Sequence, residues 1–207
     1  MGRETCLRCR RPKVACLCPS QAPMETRTRF ALLTHPKEYR RQKTGTGRMA
    51  SLHLASCEIL PGLAFDEDAR VRELVAAPGS FAALLYPGPA AIDLGDEEAG
   101  RAFATLLGAR RLVVFLVDST WSCAGSVLRS SPGIAALPRL GIRPREPSRW
   151  VIKRQPRSEC LSTIEAIHEL LCALDGLGLE CYPDRDRLLR AFVAMQAYQL
   201  ARTARGN

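Results

Sequence analysis

The chain has 207 residues, and its 30 Lys or Arg outnumber its 21 Asp or Glu, which gives a formal net charge of +9. That length suits one domain with a small appendage and is sufficient for a substantial hydrophobic core. No run of eighteen apolar residues occurs, and the first segment, MGRETCLRCRRPK, is polar and basic. We therefore expect neither a transmembrane helix nor a secretory signal, but a cytoplasmic protein.

The first four cysteines form the strongest local pattern. Cys6, Cys9, Cys16 and Cys18 follow the spacing C-x2-C-x6-C-x-C, in which two close pairs flank a short basic loop. Two such pairs can offer four thiolates to one tetrahedral ion, and a cytoplasmic chain keeps its thiols reduced. The pattern favours structural zinc, with a redox C-x-x-C as the alternative. It predicts a four-cysteine zinc-binding module over residues 1–25, followed by a larger domain over residues 26–207.

Strands and helices alternate along the larger domain, which predicts an α/β fold with a mostly parallel sheet and flanking helices. Apolar runs predict strands in RFALLTH (29–35), CEILPG (57–62), FAALLYPGP (81–89) and residues 112–117. The loop YRRQKTGTGR is expected to enter a helix over residues 48–57. Further helices are predicted at 66–78, with Asp66 as a possible cap, and at 96–109, 121–129, 163–177 and 184–203.

The stretch RLVVFLVDSTWSCAG places four unusual residues at the end of a buried strand: Asp118, Ser119, Thr120 and Trp121. In one interpretation, Asp118 or Ser119 is the N-cap of the next helix. In the other, the four residues belong to a ligand site, because open α/β sheets bind ligands beyond the carboxyl ends of their strands. Two other strands end in the polar loops THPKE and YPGP, which a parallel sheet would bring to the same edge.

Positive charge is concentrated in two segments. Residues 1–50 hold twelve Lys or Arg and three Asp or Glu, whereas the remaining 157 residues carry 18 of each sign. Residues 139–157 hold seven basic residues and one acid, and Arg outnumbers Lys 26 to 4 overall. Because Arg forks around phosphate and stacks on bases, the segments are typical of a polyanion-binding surface, although a merely solvated surface fits them equally well.

Several familiar sites are poorly supported. TGTGR lacks the Gly-Lys-Ser/Thr ending of a Walker loop, and no G-x-G-x-x-G follows a strand. His53 and His168 lie within predicted helices, where a structural role is the simpler interpretation. His35 stands at a strand end, so a functional role stays open for it.

Seven segments, in this order and spacing, resemble the DTW-domain proteins, a family of tRNA-uridine aminocarboxypropyltransferases related to the SPOUT superfamily. They are CLRCRRPKVACLC, HPKE, TGTGR, LLYPG, DSTW, SSPGIAALPRLGI and SRWVIKRQPRSECLSTIEAIHELL. The resemblance runs over nearly the whole chain. Gly45 departs from it, since the family usually has Asn there, and this weakens any role assigned to that side chain.

The resemblance implies both a fold and a reaction. Residues 26–207 would form a SPOUT-like catalytic domain whose C-terminal segment passes through a trefoil knot, a rare exception among folds. The enzyme would transfer the 3-amino-3-carboxypropyl group of S-adenosylmethionine to N3 of a uridine in tRNA and release methylthioadenosine. The residues alone leave two alternatives open: an S-adenosylmethionine-dependent RNA methyltransferase and a non-catalytic, zinc-containing RNA-binding protein.

The resemblance also suggests which residues act. Asp118 is expected to take the N3 proton or orient the imide, Thr120 to hydrogen-bond the base or cofactor, and Trp121 to stack on a base. The expected cofactor-binding residues are Tyr86, Pro87, Gly88, Leu161, Ser162 and Thr163. The expected tRNA-binding residues are His35, Thr46, Gly47, Arg48, Arg139, Arg149, Lys153 and Arg154, with Arg8, Arg10, Arg11 and Lys13 of the cysteine module.

Ser162 and Thr163 have a second interpretation that is compatible with the first. With Glu165 they look like an ordinary helix start, in which an acid suits the positive end of the helix. The same helix end can receive the carboxylate of the cofactor.

Overall fold

A six-stranded parallel sheet forms the centre of the protein. The computed structural model describes residues 4–9, 11–41, 45–153, 155–156 and 160–204. For residues 41, 121 and 122 it describes only the backbone. The strands are β1 (Arg29–Thr34), β2 (Cys57–Pro61), β3 (Ser80–Leu85), β4 (Ile92–Asp93), β5 (Arg111–Asp118) and β6 (Arg139–Gly141). They lie in the order β2-β1-β5-β3-β6-β4, and every pairing is parallel. The predicted α/β class is confirmed.

Helices cover both faces of this sheet. They are α1 (Pro36–Arg41), α2 (Thr46–His53), α3 (Ala69–Ala76), α4 (Glu97–Leu107), α5 (Trp121–Arg129), α6 (Pro132–Ala135), α7 (Thr163–Gly176) and α8 (Arg187–Ala204). Successive side chains of a strand point to opposite faces. In β1, Phe30 and Leu32 accordingly join the core beneath α2, α4, α7 and α8, whereas Ala31 and Leu33 join the core beneath α3, α5 and α6.

The structure corrects the predicted helix at 48–57, which runs instead from Thr46 to His53. It ends early because residue 24 of the N-terminal segment pairs with residue 54, and the backbone N–H of Met24 donates to the His53 carbonyl at 2.8 Å. Cys57 is thereby free to begin β2, where it pairs with Phe30. Four elements had no sequence prediction: α1, α6, β4 and β6 have two to six residues each, too few to show a periodicity.

Asp66 was expected as the cap of α3, and this is wrong. Asp68 is the N-cap, and its Oδ1 accepts the backbone N–H groups of the first turn at 2.9 and 3.0 Å. Asp66 instead accepts the N–H groups of Gly133 and Ile134 at 2.8 and 3.2 Å and so caps α6. The two acids lie close together in sequence, and only the tertiary structure decides which helix each one meets.

The cysteine segment packs against α2 and α8. The Leu17 carbonyl lies 3.1 Å from Nε2 of His53, and an Arg187 Nη2 donates to the Ala22 carbonyl. Met24 belongs to the main core, which is the core beneath α2, α4, α7 and α8. The boundary at residues 25 and 26, the SPOUT relation and the trefoil knot stay predictions. Within the described ranges, no helix combines the length and the apolar character needed to span a lipid bilayer.

Candidate active site

A cleft of about 1110 Å³ opens at the carboxyl edge of the sheet. Its walls come from the ends of β1, β3, β5 and β6, from the N-terminal turns of α2 and α7, and from parts of the segment between β6 and α7. This is the edge beyond which parallel sheets bind their ligands. Parallel pairing therefore brings together loops that are far apart in sequence.

Asp118, the last residue of β5, is tied into this edge by two hydroxyl donors. Its Oδ1 accepts the Thr163 hydroxyl at 2.7 Å, and its Oδ2 accepts the Thr34 hydroxyl at 3.2 Å. The backbone N–H of Gly47 faces the same carboxylate and lowers its pKa. A carboxylate has about four acceptor sites, so about two remain for further donors, including a ligand in the cleft.

Burial raises the pKa of Asp118 above its usual value. The hydrogen bonds from Thr163 and Thr34 and the positive charge of Lys153 oppose this rise. A carboxylate with a raised pKa is a stronger base than an exposed one, and a catalytic base works best with its pKa near the working pH. The side chain is thus both fixed in position and suited to accept a proton.

The helix-cap interpretation of Asp118 and Ser119 is wrong. Thr120 occupies the N-cap position of α5. The oxygens of Asp118 are engaged with β1 and α7 instead, and the Ser119 hydroxyl lies 3.2 Å from the Thr120 carbonyl. Trp121 opens α5, but its side chain lies outside the described residues.

Gly47 lies against Asp118 in the first turn of α2. A Cβ at this position would stand 2.5 Å from the carboxylate carbon of Asp118, so no larger side chain fits without displacing it. Gly47 is not among the residues that line the cleft. Its contact with tRNA stays a prediction, whereas its close approach to Asp118 is a geometric fact.

The remaining expected residues divide into two groups. Those that line the cleft are Thr46, Arg48, Tyr86, Pro87, Thr120, Lys153, Leu161, Ser162 and Thr163. Those described but outside the lining are His35, Gly88, Arg139 and Arg149. Arg154 lies outside the described residues.

The residues outside the lining have neighbours of their own. His35 Nδ1 accepts the Lys37 backbone N–H at 3.1 Å, in the turn that leads into α1. The Arg139 guanidinium lies 5.8 Å from the ring centre of Tyr86. Arg149 donates to a carboxylate oxygen of Glu146 at 2.9 Å. These contacts do not test tRNA binding, so the roles of His35, Arg139 and Arg149 in it stay predictions.

Glu165 anchors the start of α7. With Ser162 it forms a capping box, which confirms the expected helix start. Its buried carboxylate also accepts the Ser148 hydroxyl at 2.9 Å and the Arg149 backbone N–H at 2.6 Å. Glu165 therefore holds the segment before α7 against the helix, and its oxygens are occupied by the protein.

Five polar or aromatic residues of the cleft were not identified from the sequence: Thr34, Glu38, Tyr39, Trp150 and Gln155. The Trp150 ring packs edge-on against Phe192 at 5.7 Å, and the Lys153 ammonium lies 4.8 Å from its ring centre. Glu38 and Trp150 belong to HPKE and SRWVIK, so the motifs contained the signal, but the sequence does not show which of their side chains face the cleft.

The four N-terminal cysteines form one cluster. All four sulfur atoms lie within 4.8 Å of one another, and the Cys6–Cys18 and Cys9–Cys16 pairs are each 3.7 Å apart. A tetrahedral zinc ion with Zn–S bonds of about 2.3 Å separates its sulfur ligands by roughly 3.8 Å. Backbone N–H groups of Cys9 and Arg8 lower the pKa of Cys6 to about 6, which favours its thiolate, whereas burial and the neighbouring thiols raise the pKa of Cys18 to about 12, so a metal bound there must displace the proton. The cluster is compatible with zinc.

One basic residue of this module, Arg11, is buried, although its sequence context predicts exposure. Arg11 was expected to contact tRNA phosphates, but only 3% of its surface is exposed. Arg8 and Lys13 are exposed, and Arg10 lies outside the described residues.

A parallel sheet with a ligand-sized cleft at its carboxyl edge, and a half-buried carboxylate inside that cleft, defines an α/β domain of the kind that enzymes use. The chain belongs to the DTW domain family, whose match covers residues 3–200. This confirms the family that the motifs indicated.

Three curated relatives are named tRNA-uridine aminocarboxypropyltransferase 2. The protein of Drosophila melanogaster is 28% identical over 96% of this chain, and that of Mus musculus is also 28% identical over 96%. The protein of Macaca fascicularis is 26% identical over the same share. The match spans 76% of the length of the fly protein and 64% of each mammalian one. No solved structure matches the chain. The relatives confirm the expectation of an enzyme of the transferase class.

Proposed function

We propose that this protein transfers the 3-amino-3-carboxypropyl group of S-adenosylmethionine to N3 of a uridine in tRNA and releases methylthioadenosine. The observation that carries the proposal is the Asp118 carboxylate, raised in pKa and held by hydroxyls inside a cleft of about 1110 Å³. A cleft of that size lies slightly above the usual range for small-molecule sites, about 300–1,000 Å³, which leaves room for a cofactor and a base together. The names of the relatives support the same reaction.

The proposed chemistry requires one base. The N3 proton of uracil moves to Asp118, and the nitrogen lone pair forms a bond to the γ-carbon of the methionine part of S-adenosylmethionine. The bond between that carbon and the sulfonium sulfur breaks, and its electron pair stays on sulfur, which leaves as a neutral thioether. Since uracil N3–H is only weakly acidic, the raised pKa of Asp118 brings base and acid closer in strength.

The walls of the cleft suit the two substrates. Tyr86, Pro87 and Leu161 supply apolar surface for the cofactor, and the positive N-terminal end of α7 suits its carboxylate. Arg48 and Lys153 lie in the lining and can meet tRNA phosphates. Among the described aromatic side chains, Trp150 offers a fixed ring for stacking a base.

Nucleoside mass spectrometry tests the reaction directly. Unmodified tRNA incubated with the protein and S-adenosylmethionine is expected to gain the aminocarboxypropyl group on uridine, with an equal amount of methylthioadenosine. A gain of methyl would instead identify a methyltransferase that uses the same cleft. No mass change across a full tRNA pool would favour the non-catalytic RNA-binding protein.

Thr163 is expected to set the acid limb of the pH–rate profile. Its hydroxyl donates to the ionised Asp118 and so lowers the pKa of that carboxyl. Thr163→Val removes the donor, the pKa of Asp118 rises further, and the acid limb of kcat/KM moves to higher pH. Thr163→Ser keeps the hydroxyl and is the matched control, with its limb expected at the wild-type pH. An unshifted limb in the valine variant would show that another group controls the rate.

We also propose that the cysteine cluster holds one structural zinc ion. Elemental analysis of the purified chain is expected to find one zinc per protein, and Cys9→Ser to lose it. Cys9 is buried within the cluster, whereas Cys181 is exposed and far from it in sequence, so Cys181→Ser is the control. Equal zinc in both variants would contradict a four-cysteine site.

A further inference from the structure

Arg11 is buried in a way that arginine side chains rarely are. Only 3% of its surface is exposed, and its Nη1 has no hydrogen-bond partner among the residues that the structure describes. A guanidinium stays charged even when buried, and a buried charge without a partner costs several kcal/mol of folding free energy by order of magnitude. An anion beside it would remove that cost.

The cysteine cluster is the anion that the fold places next to Arg11. The backbone N–H of Cys6 donates to the Arg11 carbonyl at 2.7 Å, which closes the loop that carries the first two cysteines. Cys9 is 1% exposed, and both Cys9 and Cys16 lie close enough to the Arg11 guanidinium to act on it electrostatically. Four thiolates outweigh the two positive charges of a zinc ion, so a loaded centre carries net negative charge.

The other neighbour of Arg11 is the C-terminal helix. The guanidinium carbon lies 5.8 Å from the ring centre of Tyr198, a distance at which a cation is attracted to the ring face. Tyr198 is on α8, whose residues Phe192 and Met195 are fully buried in the main core. Arg11 therefore stands between the cysteine cluster and a helix that belongs to the sheet domain.

We propose that Arg11 is a positioning residue that couples metal loading of the cysteine cluster to docking of the cysteine module on α8. The loaded centre neutralises the buried guanidinium, and the guanidinium in turn packs on Tyr198. Loss of the metal leaves the charge of Arg11 without compensation and weakens the contact with α8. This inference rests on the proposed zinc centre, but it does not depend on the reaction in the cleft.

Zinc affinity tests the first half of the coupling. Arg11→Met keeps the apolar stem and removes the charge, and in the full-length chain it is expected to raise the zinc Kd by roughly 10- to 100-fold, as measured by competition with a chromophoric chelator. Arg8→Met removes an exposed charge from the same module and is expected to stay within about twofold of wild type. Arg11→Lys restores the charge and should recover part of the affinity. Equal affinities in the Arg11 and Arg8 variants would overturn the proposal.

Hydrogen exchange of α8 tests the second half. In the wild-type chain, chelation of zinc is expected to reduce the protection of peptides that contain Tyr198. In Arg11→Met, the same peptides should be poorly protected even at saturating zinc, and chelation should change them little. Wild-type protection in zinc-saturated Arg11→Met would overturn the docking role. Absence of zinc from the wild-type protein would be a different failure, because it would remove the metal centre itself.

Discussion

The Asp118→Asn variant is expected to lose aminocarboxypropyl transfer by roughly 10²- to 10⁴-fold in kcat, while its affinity for S-adenosylmethionine stays near that of the wild type. Asparagine has the shape of aspartate but cannot take the N3 proton. The fold should tolerate the change, because the Thr34 hydroxyl can accept a hydrogen bond from the new amide group. The same hydroxyl can then donate its own hydrogen to the Leu32 carbonyl, 3.3 Å away. Single-turnover assays with quantified methylthioadenosine, together with calorimetric titration of the cofactor, measure the two quantities separately.

Asp96→Asn is the control for this variant. Asp96 is the exposed N-cap of α4, where its Oδ1 accepts the Ala99 N–H at 2.9 Å, and asparagine caps helices about as well. Transfer by this variant should match the wild type. A fully active Asp118→Asn protein would remove Asp118 from the mechanism. If Asp118→Asn instead has a lower melting temperature and no longer binds the cofactor, Asp118 serves only to join β1, β5, α2 and α7.

Gly47→Ala is expected to have the second-largest effect, a loss of about 10²-fold in transfer from a change of one methyl group. The new Cβ would stand 2.5 Å from the Asp118 carboxylate carbon, so the carboxylate or the first turn of α2 must move. Displacement of about 1 Å is enough to misalign a base and its proton, and overpacking of this kind also costs about 1–3 kcal/mol of stability. Transfer rates and thermal unfolding of the purified variant measure both effects.

Gly176→Ala is the matched control for Gly47→Ala. Gly176 ends α7, and a Cβ there meets no atom within 4 Å. Since alanine is favoured over glycine in helices, this variant should be as stable as the wild type or slightly more so, with unchanged transfer. If Gly47→Ala behaves like Gly176→Ala, the close approach of Gly47 to Asp118 does not matter for the reaction.

The long elements of this protein follow from local patterns in the sequence. β5 is a run of apolar residues, and α4, α7 and α8 repeat apolar residues at three- and four-residue spacing. The pattern of apolar residues to be buried therefore indicates the type of each of these elements. The cysteine spacing likewise indicates a single cluster, because four thiols within thirteen residues can converge without help from the rest of the chain. The motifs in their order identified the family.

The tertiary structure alone decided which side chains meet. Thr34, Gly47 and Thr163 converge on Asp118 from three elements up to 84 residues away, because parallel pairing of β1 with β5 places their ends side by side. Asp66 caps α6 and leaves the start of α3 to Asp68, since α6 approaches only in the folded chain.

Arg11 shows the same limit within the N-terminal module. Its sequence context is a basic loop, which indicates exposure, yet packing of that module against Tyr198 buries it. Sequence patterns indicate which residues of each segment face water and which face the core. Contacts between segments depend on register and crossover geometry, and these are fixed only when the whole sheet and its helices pack together.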